Sequence, residues 1–217
     1  MDIIRKLTEE LGVQRWQVEA AVKLIDEGNT IPFISRYRKE ATGSLNDEVL
    51  RNLHERLTYL RGLEDKKNQV LGSIEEQGKL TEELKAQILA AETLVAVDDL
   101  YRPYRPKRRT RATIAKEKGL DGLADVIRLQ LTKKPLEKEA VAYLSEEKGV
   151  LTTADAIAGA GDILAEAISD EADYRSYIRK ATFDEGQLLS EAKDEKAQTV
   201  YEMYYHYEEP VKKAAGH

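Results

Sequence analysis

"NDEVLRNLHERLTYLRGLEDKKNQVLGSI", residues 46–74, has the apolar spacing of one long helix. Apolar residues recur every three or four positions, which lines one helical face; they are Val49, Leu53, Leu57, Leu60, Leu63, Val70 and Ile74. Asn46 followed by Asp47 and Glu48 predicts where this helix starts, because a capping side chain and early carboxylates stabilise a helix N-terminus. Gly62 and Gly72 weaken the helix slightly.

Two shorter apolar stripes precede the long helix. They end at Gly12 and Gly28, and glycine commonly ends a helix in the left-handed conformation. The stripes predict a helix-turn-helix-like pair. The second stripe lies in "RWQVEAAVKLIDE", which has three acidic and two basic residues. This charge favours a packing role over a helix that reads DNA.

The rest of the chain continues the helical pattern. "LVAV" at 94–97 keeps helical spacing towards Tyr101, and Thr152 with Asp155 predicts a capping box ahead of a helix rich in small residues. We expect "DYRSYIRKATF" and "KAQTVYEMYYHY" to form the last two helices, and find no convincing alternating strand. The predicted fold is all-α: a multi-helix region with a helix-turn-helix-like start and one long helix.

The composition is that of a globular chain. It has 217 residues, of which 41% are hydrophobic and 34% charged, and no cysteine, which excludes disulfides and cysteine-ligated metals. The start "MDIIRKLTEELG" lacks the apolar core of a signal peptide. No apolar run approaches the roughly 20 residues that span a bilayer. We therefore expect a cytoplasmic protein without a membrane partner.

Positive charge is concentrated in one segment, residues 101–118, which we call the basic strip. The chain has 34 Lys+Arg and 40 Asp+Glu, a net charge of -6, whereas the strip has eight basic residues and one acidic residue, a net +7. An acidic chain can hold a polyanion only through such a patch. The candidate nucleic-acid-binding residues are Arg102, Arg105, Lys107, Arg108, Arg109 and Arg111, with Arg36, Arg38 and Lys39 as a second cluster.

Two interpretations of the basic strip stay open. Arginine suits bidentate contact with phosphate, and it suits pairing with carboxylates equally well. Residues 137–217 contain 18 acidic and nine basic residues and are a plausible internal partner, so pairing is the favoured alternative. "YRPYRP" at 101–106 would place its tyrosines and arginines on separate edges if it followed a polyproline II path.

Nothing in the sequence resembles an active site. It has no phosphate-binding glycine loop and no serine elbow. Glu202 and His206 are four residues apart, but one such pair is too few ligands for a zinc or di-iron site. We therefore predict no catalytic residue, no metal, no cofactor and no small-molecule substrate.

Two stretches carry a family resemblance: "TIPFISRYRKEATGSLNDEVL" (30–50) and "VDDLYRPYRPKRRTRATIAKEKGLDGLA" (97–124). Both closely resemble the N-terminal helical region of the Tex-like bacterial transcription accessory proteins, and "YEMYYHYEEPVKK" extends the resemblance to nearly the whole chain. In that family a ribonuclease H-like domain regarded as inactive, helix-hairpin-helix elements and a C-terminal oligonucleotide-binding barrel come after this region. The resemblance implies that this chain is a fragment lacking those domains. It also implies that the barrel supplies most nucleic-acid binding, with the helical region as scaffold.

These observations lead to one functional hypothesis and one alternative. We expect a helix-turn-helix-like part at 1–136, including the basic strip, and an acidic helical part at 137–217 that leads into the downstream domain; the alternative is that the two parts form one continuous body. The first hypothesis is a non-enzymatic scaffold that contributes to RNA or DNA association and organises downstream domains in transcription. Its partners would be RNA or DNA through the intact protein, the downstream domains and the transcription machinery. The alternative is a pure protein-protein or interdomain interaction module without nucleic-acid contact.

Overall fold

The computed structural model describes residues 2–106 and 108–214, and helices dominate both of its units. The units are Met1–Tyr101 and Arg102–His217, and each has its own hydrophobic cluster. The expected all-α class is confirmed, with a small hairpin as the exception among the described residues. The boundary expected after residue 136 stays a prediction.

The described residues of the first unit form six helices, and the longest is the one predicted from residues 46–74. Asn46 caps it by accepting a hydrogen bond from the Val49 amide at 2.9 Å. At 30 residues and 1.5 Å per residue it is about 45 Å long. The helices are α1 (Ile3–Leu11), α2 (Arg15–Asp26), α3 (Ile31–Tyr37), α4 (Asp47–Glu76), α5 (Glu82–Ala90) and α6 (Leu94–Tyr101).

The long helix α4 packs against each of the other five helices described in this unit. Its first half buries four leucines against α1, α2 and α3; the group comprises Leu50, Leu53, Leu57, Leu60, Leu7, Val18, Ala21 and Ile34. Its second half packs against α5 and α6. Helix α2 points its apolar stripe into this core. That packing is the role the sequence favoured for α2.

Two bidentate ion pairs join α4 to the first two helices. Arg56 donates to both Glu10 oxygens at 2.6 and 2.8 Å, and Arg61 donates to both Asp26 oxygens at 2.7 and 2.9 Å. These hydrogen bonds favour the ionised carboxylates. The pKa of Glu10 and the pKa of Asp26 are therefore lower than their ordinary values.

The second unit is built around one helix with small side chains. A Cβ on Gly159 would clash with the Leu120 side chain, so the absence of a side chain is what permits this close approach. Thr152 and Asp155 form the predicted capping box at its start. The helices are α7 (Arg111–Glu117), α8 (Asp121–Leu129), α9 (Leu136–Ala140), α10 (Thr153–Asp170) and α11 (Ala172–Glu185), with 3-10 turns at Arg102–Tyr104, Val141–Tyr143, Glu202–Tyr204 and Val211–Lys213.

The end of the second unit corrects the sequence prediction. A helix was expected over "KAQTVYEMYYHY", but β2 (His206–Pro210) pairs antiparallel with β1 (Gln187–Glu191). Gln187 is opposite Pro210, and Glu191 is opposite His206. The tyrosine spacing suggested a helical face, but pairing with a strand more than ten residues away determines the local structure. The helix predicted from "DYRSYIRKATF" is confirmed as α11.

Candidate nucleic-acid interface

The backbone of the basic strip differs from the expected extended path. Helix α6 runs to Tyr101, and Arg102–Tyr104 follows as a 3-10 turn rather than polyproline II. Thr110 then caps α7 by accepting a hydrogen bond from the Thr113 amide at 3.0 Å, as the sequence predicted. The described residues of the strip therefore form a 3-10 turn and helix α7, and Arg105, Pro106 and residues 108–110 lie outside regular structure. Lys107, one of the candidates, lies outside the described residues.

Arg102 is engaged inside the second unit. Its Nε donates to Asp170 Oδ1 over 2.8 Å. The Asp170 side chain, at the end of α10, is only 11% exposed. A buried carboxylate needs a paired cation, because desolvation penalises its charge. This contact is the internal pairing that the sequence left open, and Asp170 comes from the acidic segment 137–217.

Two further strip arginines make looser ion pairs. Arg109 pairs with Glu117 at 2.6 Å, and Arg111 lies 3.6 Å from Asp162. The two arginine side chains are 67% and 87% exposed. Exposed pairs of this kind contribute about 0–1 kcal/mol, since water competes for both partners. Either arginine can exchange its carboxylate for a phosphate at little cost.

The remaining described candidates of the strip are exposed. Arg105 lies on the surface in the segment between the 3-10 turn and α7. Arg108 is also exposed, and it forms no ion pair with any residue that the structure describes. The strip thus has one firmly paired arginine, two weakly paired arginines and two further exposed arginines, of which Arg108 forms no ion pair with a described residue.

The second candidate cluster lies at the end of α3. Arg36 and Lys39 are exposed, and neither lies within ion-pair distance of a carboxylate in the described part of the chain. The Arg38 guanidinium lies over the Phe33 ring, 5.4 Å from its centroid. Phe33 and Tyr37, whose ring centroids are 5.3 Å apart, share the same helical face as Arg36. Sequence reasoning missed both aromatic rings, although their spacing of four residues among cations was the available signal.

The loop after α3 is held in place by α2. The Gln17 side-chain amide donates to the carbonyls of Thr42 and Gly43, at 3.2 and 3.1 Å. Gly43 has a φ of +60°, and a Cβ there would clash with the Trp16 ring. The Thr42 side chain is buried and donates to the Arg38 carbonyl at 3.3 Å. The backbone that carries Arg38 and Lys39 is therefore fixed before any ligand arrives.

The α3 arginines differ from the others in their unit. Met1–Tyr101 contains seven arginines. Of these seven arginines, only Arg36 and Arg38 lack a carboxylate partner among the described residues. The other five form ion pairs: Arg5, Arg15, Arg51, Arg56 and Arg61. With Lys39, Arg36 and Arg38 form a cluster of three cations within four residues that has no described carboxylate partner, in a chain with more carboxylates than cations.

Neither a metal site nor a selective anion pocket emerges from the described side chains. In residues 2–106 and 108–214, no group of three or more His, Asp or Glu side chains could hold a metal ion. A cavity of about 350 Å³ beside Arg111 has two cations and two carboxylates in its lining, so it has no preferred ligand charge. Glu202 and His206 lie in a 3-10 turn and in β2, so they do not share a helical face.

Within the described residues, no helix has both the length and the apolar character needed to cross a membrane. The longest, α4, carries charged residues along its whole exposed side.

Comparison with known proteins identifies the family. Residues 1–75 match the family described as "Tex-like protein N-terminal domain", and residues 131–217 match "Tex central region-like". The chain is 45% identical over 222 residues to the transcriptional accessory protein Tex of Neisseria gonorrhoeae, covering 100% of this chain and 28% of that protein. It is 44% identical over 217 residues to the protein tex of Bordetella pertussis, covering 99% of this chain and 27% of that protein.

A more distant relative is a human protein. The chain is 31% identical over 180 residues to the S1 RNA-binding domain-containing protein 1 of Homo sapiens, which covers 82% of this chain and 18% of that protein. The chain spans less than a third of the length of the curated relatives it matches. The two matched families and the bacterial relatives agree with each other and with the helical fold. The chain therefore belongs to the Tex-like protein family.

Proposed function

We propose that this chain is a non-enzymatic helical scaffold of a Tex-like transcription accessory protein, acting in the cytoplasm, and that it contributes to RNA or DNA association. The observation that carries the proposal is that four of the candidate cations are exposed and have no carboxylate partner among the described residues: Arg36, Arg38, Lys39 and Arg108. An arginine without a carboxylate offers all five of its N–H donors to an incoming phosphate. The relative named for an S1 RNA-binding domain supports nucleic-acid association.

The candidate residues differ in how easily they can reach a phosphate. The α3 cluster and Arg108 need no rearrangement. Arg109 and Arg111 must release exposed carboxylates, which costs about 1 kcal/mol or less each. Arg102 would leave Asp170 unpaired in a largely buried position, so we assign Arg102 a structural role.

Fluorescence anisotropy tests this proposal. A labelled single-stranded RNA is titrated with the chain at several salt concentrations. Each neutralised phosphate should make log affinity fall with log salt by about 0.7. Arg108→Ala should flatten the slope without changing the fold, whereas Arg102→Ala should lower stability. A chain that binds no RNA or DNA even at low salt would refute the nucleic-acid part of the proposal.

A second candidate function is supported by a different surface. Every residue of helix α11 is at least partly exposed, although the helix carries Tyr174, Tyr177, Ile178 and Phe183. A groove of about 640 Å³ between α10 and α11 is lined by Ile168, Tyr174 and Ile178 together with Arg175 and Arg179. Monomeric proteins rarely leave such a contiguous apolar surface uncovered. The alternative is therefore an interdomain interaction module.

The occupant that fits this groove is another part of the same longer protein. The relatives are more than three times the length of this chain, which leaves ample sequence to cover it. Hydrogen exchange over residues 172–185 provides the test. In a longer chain extended by the downstream domains of the relatives, these amides should exchange more slowly than in the present chain. Equal exchange in the two chains would refute this domain-organising role.

A further inference from the structure

Helix α3 has an aromatic face that its own unit buries only in part. Phe33, Arg36 and Tyr37 are spaced i, i+3 and i+4, so they share one side of the helix. The buried residue of this helix, Ile34, lies on a different side. Tyr37 is 67% exposed and Phe33 is 36% exposed. Two neighbouring aromatic rings therefore present apolar surface that a ligand can cover.

Cations surround this aromatic face. Residues 36–40 contain three basic residues and one carboxylate, Glu40, which is exposed and forms no ion pair with the described residues. The Arg38 guanidinium lies over the Phe33 ring, and it therefore presents a further flat surface. Arg36 shares the helical side of the rings, Lys39 follows Arg38 in the chain, and no described carboxylate neutralises either charge.

We propose that this face, formed by Phe33, Arg36, Tyr37, Arg38 and Lys39, binds single-stranded nucleic acid by stacking bases on its rings. The inference rests on the proposed function and gives it a ligand class. Aromatic rings and guanidinium planes stack on unpaired bases of any sequence, while adjacent cations neutralise the backbone phosphates. A duplex keeps the faces of its bases stacked inside, so it offers this site its phosphates but no free base face.

The local structure supports binding without rearrangement. The Gln17 amide and the Thr42 hydroxyl fix the loop after α3 through their hydrogen bonds to its backbone. A site that is already ordered loses less conformational entropy when its ligand binds. An acidic protein segment could use the same cations, but it would gain little from two rings that can stack on bases. The combination of rings and unpaired cations favours a single strand.

The test compares aromatic variants on single-stranded and duplex probes. The probes are a fluorescein-labelled oligouridylate of about 12 nucleotides and the duplex it forms with oligoadenylate. Tyr37→Ala and Tyr37→Leu should weaken single-strand binding by about 5-fold to 150-fold per lost stacking contact. Neither variant removes a charge, so the salt slope should stay that of the wild-type chain. Duplex binding should be weaker and insensitive to both variants.

Two further variants separate the loss of stacking at Tyr37 from a loss of affinity that substitution of any exposed tyrosine would cause. Tyr37→Phe keeps the ring and should retain wild-type affinity. Tyr177→Ala removes a tyrosine that is 73% exposed on α11 and should leave affinity unchanged. Circular dichroism and urea unfolding establish that each variant is folded. Tyr37→Leu keeps an apolar side chain, so it remains informative if Tyr37→Ala is destabilised.

The outcomes distinguish this inference from the proposed function. If the wild-type chain binds RNA and Tyr37→Leu binds equally well, stacking is refuted while nucleic-acid association stands. If the variants weaken duplex and single-strand binding alike, the single-strand preference is refuted. If polyglutamate displaces the probe as well as unlabelled oligouridylate does, an acidic protein is the better ligand and the inference is overturned. If the wild-type chain binds neither probe, both proposals are refuted.

Discussion

Removal of the three α3 cations should reduce the salt dependence of RNA binding by a calculable amount. The variant is Arg36→Ala, Arg38→Ala and Lys39→Ala together. Each cation that contacts a phosphate of a single strand contributes about 0.7 to the slope of log affinity against log salt, so the slope should fall by about 2. Over a fourfold change in salt, that slope corresponds to about a 20-fold change in affinity. Anisotropy from low to moderate salt measures it directly.

The matched control removes three arginines that already have carboxylate partners. Arg5, Arg51 and Arg128 pair with Glu9, Asp47 and Asp125 within their own helices, at 2.8, 2.6 and 2.8 Å. The control chain loses the same positive charge from a net charge of -6. Its slope should therefore stay close to that of the wild-type chain. Equal slopes in the two triple variants would show that only net charge matters, which refutes the assignment of phosphate contacts to α3.

Three predictions concern the stability of the first unit. Leu53→Ala should lower the free energy of unfolding by about 2–5 kcal/mol in urea, because it leaves a cavity in the core. Gly43→Ala should lower the unfolding midpoint, because a Cβ would clash with Trp16 and φ is +60°. Asp26→Asn should reduce the acid sensitivity of the melting temperature. Because Arg61 lowers the pKa of Asp26, the ion pair stabilises the fold at pH values above the pKa of an unfolded aspartate, about 3.9. This stabilisation is lost as the pH falls through the pKa of Asp26 in the folded protein.

Each stability prediction has its own control. Leu131, on the surface at 82% exposure, should tolerate alanine within about 0.5 kcal/mol; a comparable loss at both leucines would contradict the core assignment. Gly72→Ala, inside α4 with open space around it, should stabilise the helix by about 0.5–1 kcal/mol. A stabilising Gly43→Ala would refute the strained loop. If the Asp26→Asn variant keeps the wild-type dependence of melting temperature on pH, titration of this ion pair does not cause the acid sensitivity.

Much of the fold was accessible from local signals. The start of α4 followed from Asn46 and the two acids after it, and its buried face followed from the leucine spacing, because capping and amphipathicity are properties of a short window of sequence. The hairpin was not accessible in this way. β1 has adjacent leucines instead of alternation, and β2 is defined by a partner that the local sequence does not indicate.

The candidate site, like the fold, could be predicted from the sequence only in part. Counting charges located both basic clusters, but the pairing of each arginine depends on contacts between distant residues. Arg102 and Asp170 are 68 positions apart. The absence of a described carboxylate partner at Arg36 and Arg38 could be recognised only after every other arginine of the unit had been assigned its partner. Charge density along the chain favoured the basic strip, whereas the contacts of the described residues favour the α3 cluster.

Photocrosslinking tests the central claim most directly. A single-stranded RNA carrying 4-thiouridine is irradiated with the wild-type chain, and the crosslinked peptides are mapped by mass spectrometry. We predict crosslinks to Phe33 or Tyr37 that unlabelled single strands suppress and duplex does not. Crosslinks confined to the basic strip or to α11, or an absence of crosslinks under conditions where the RNA is bound, would contradict the account.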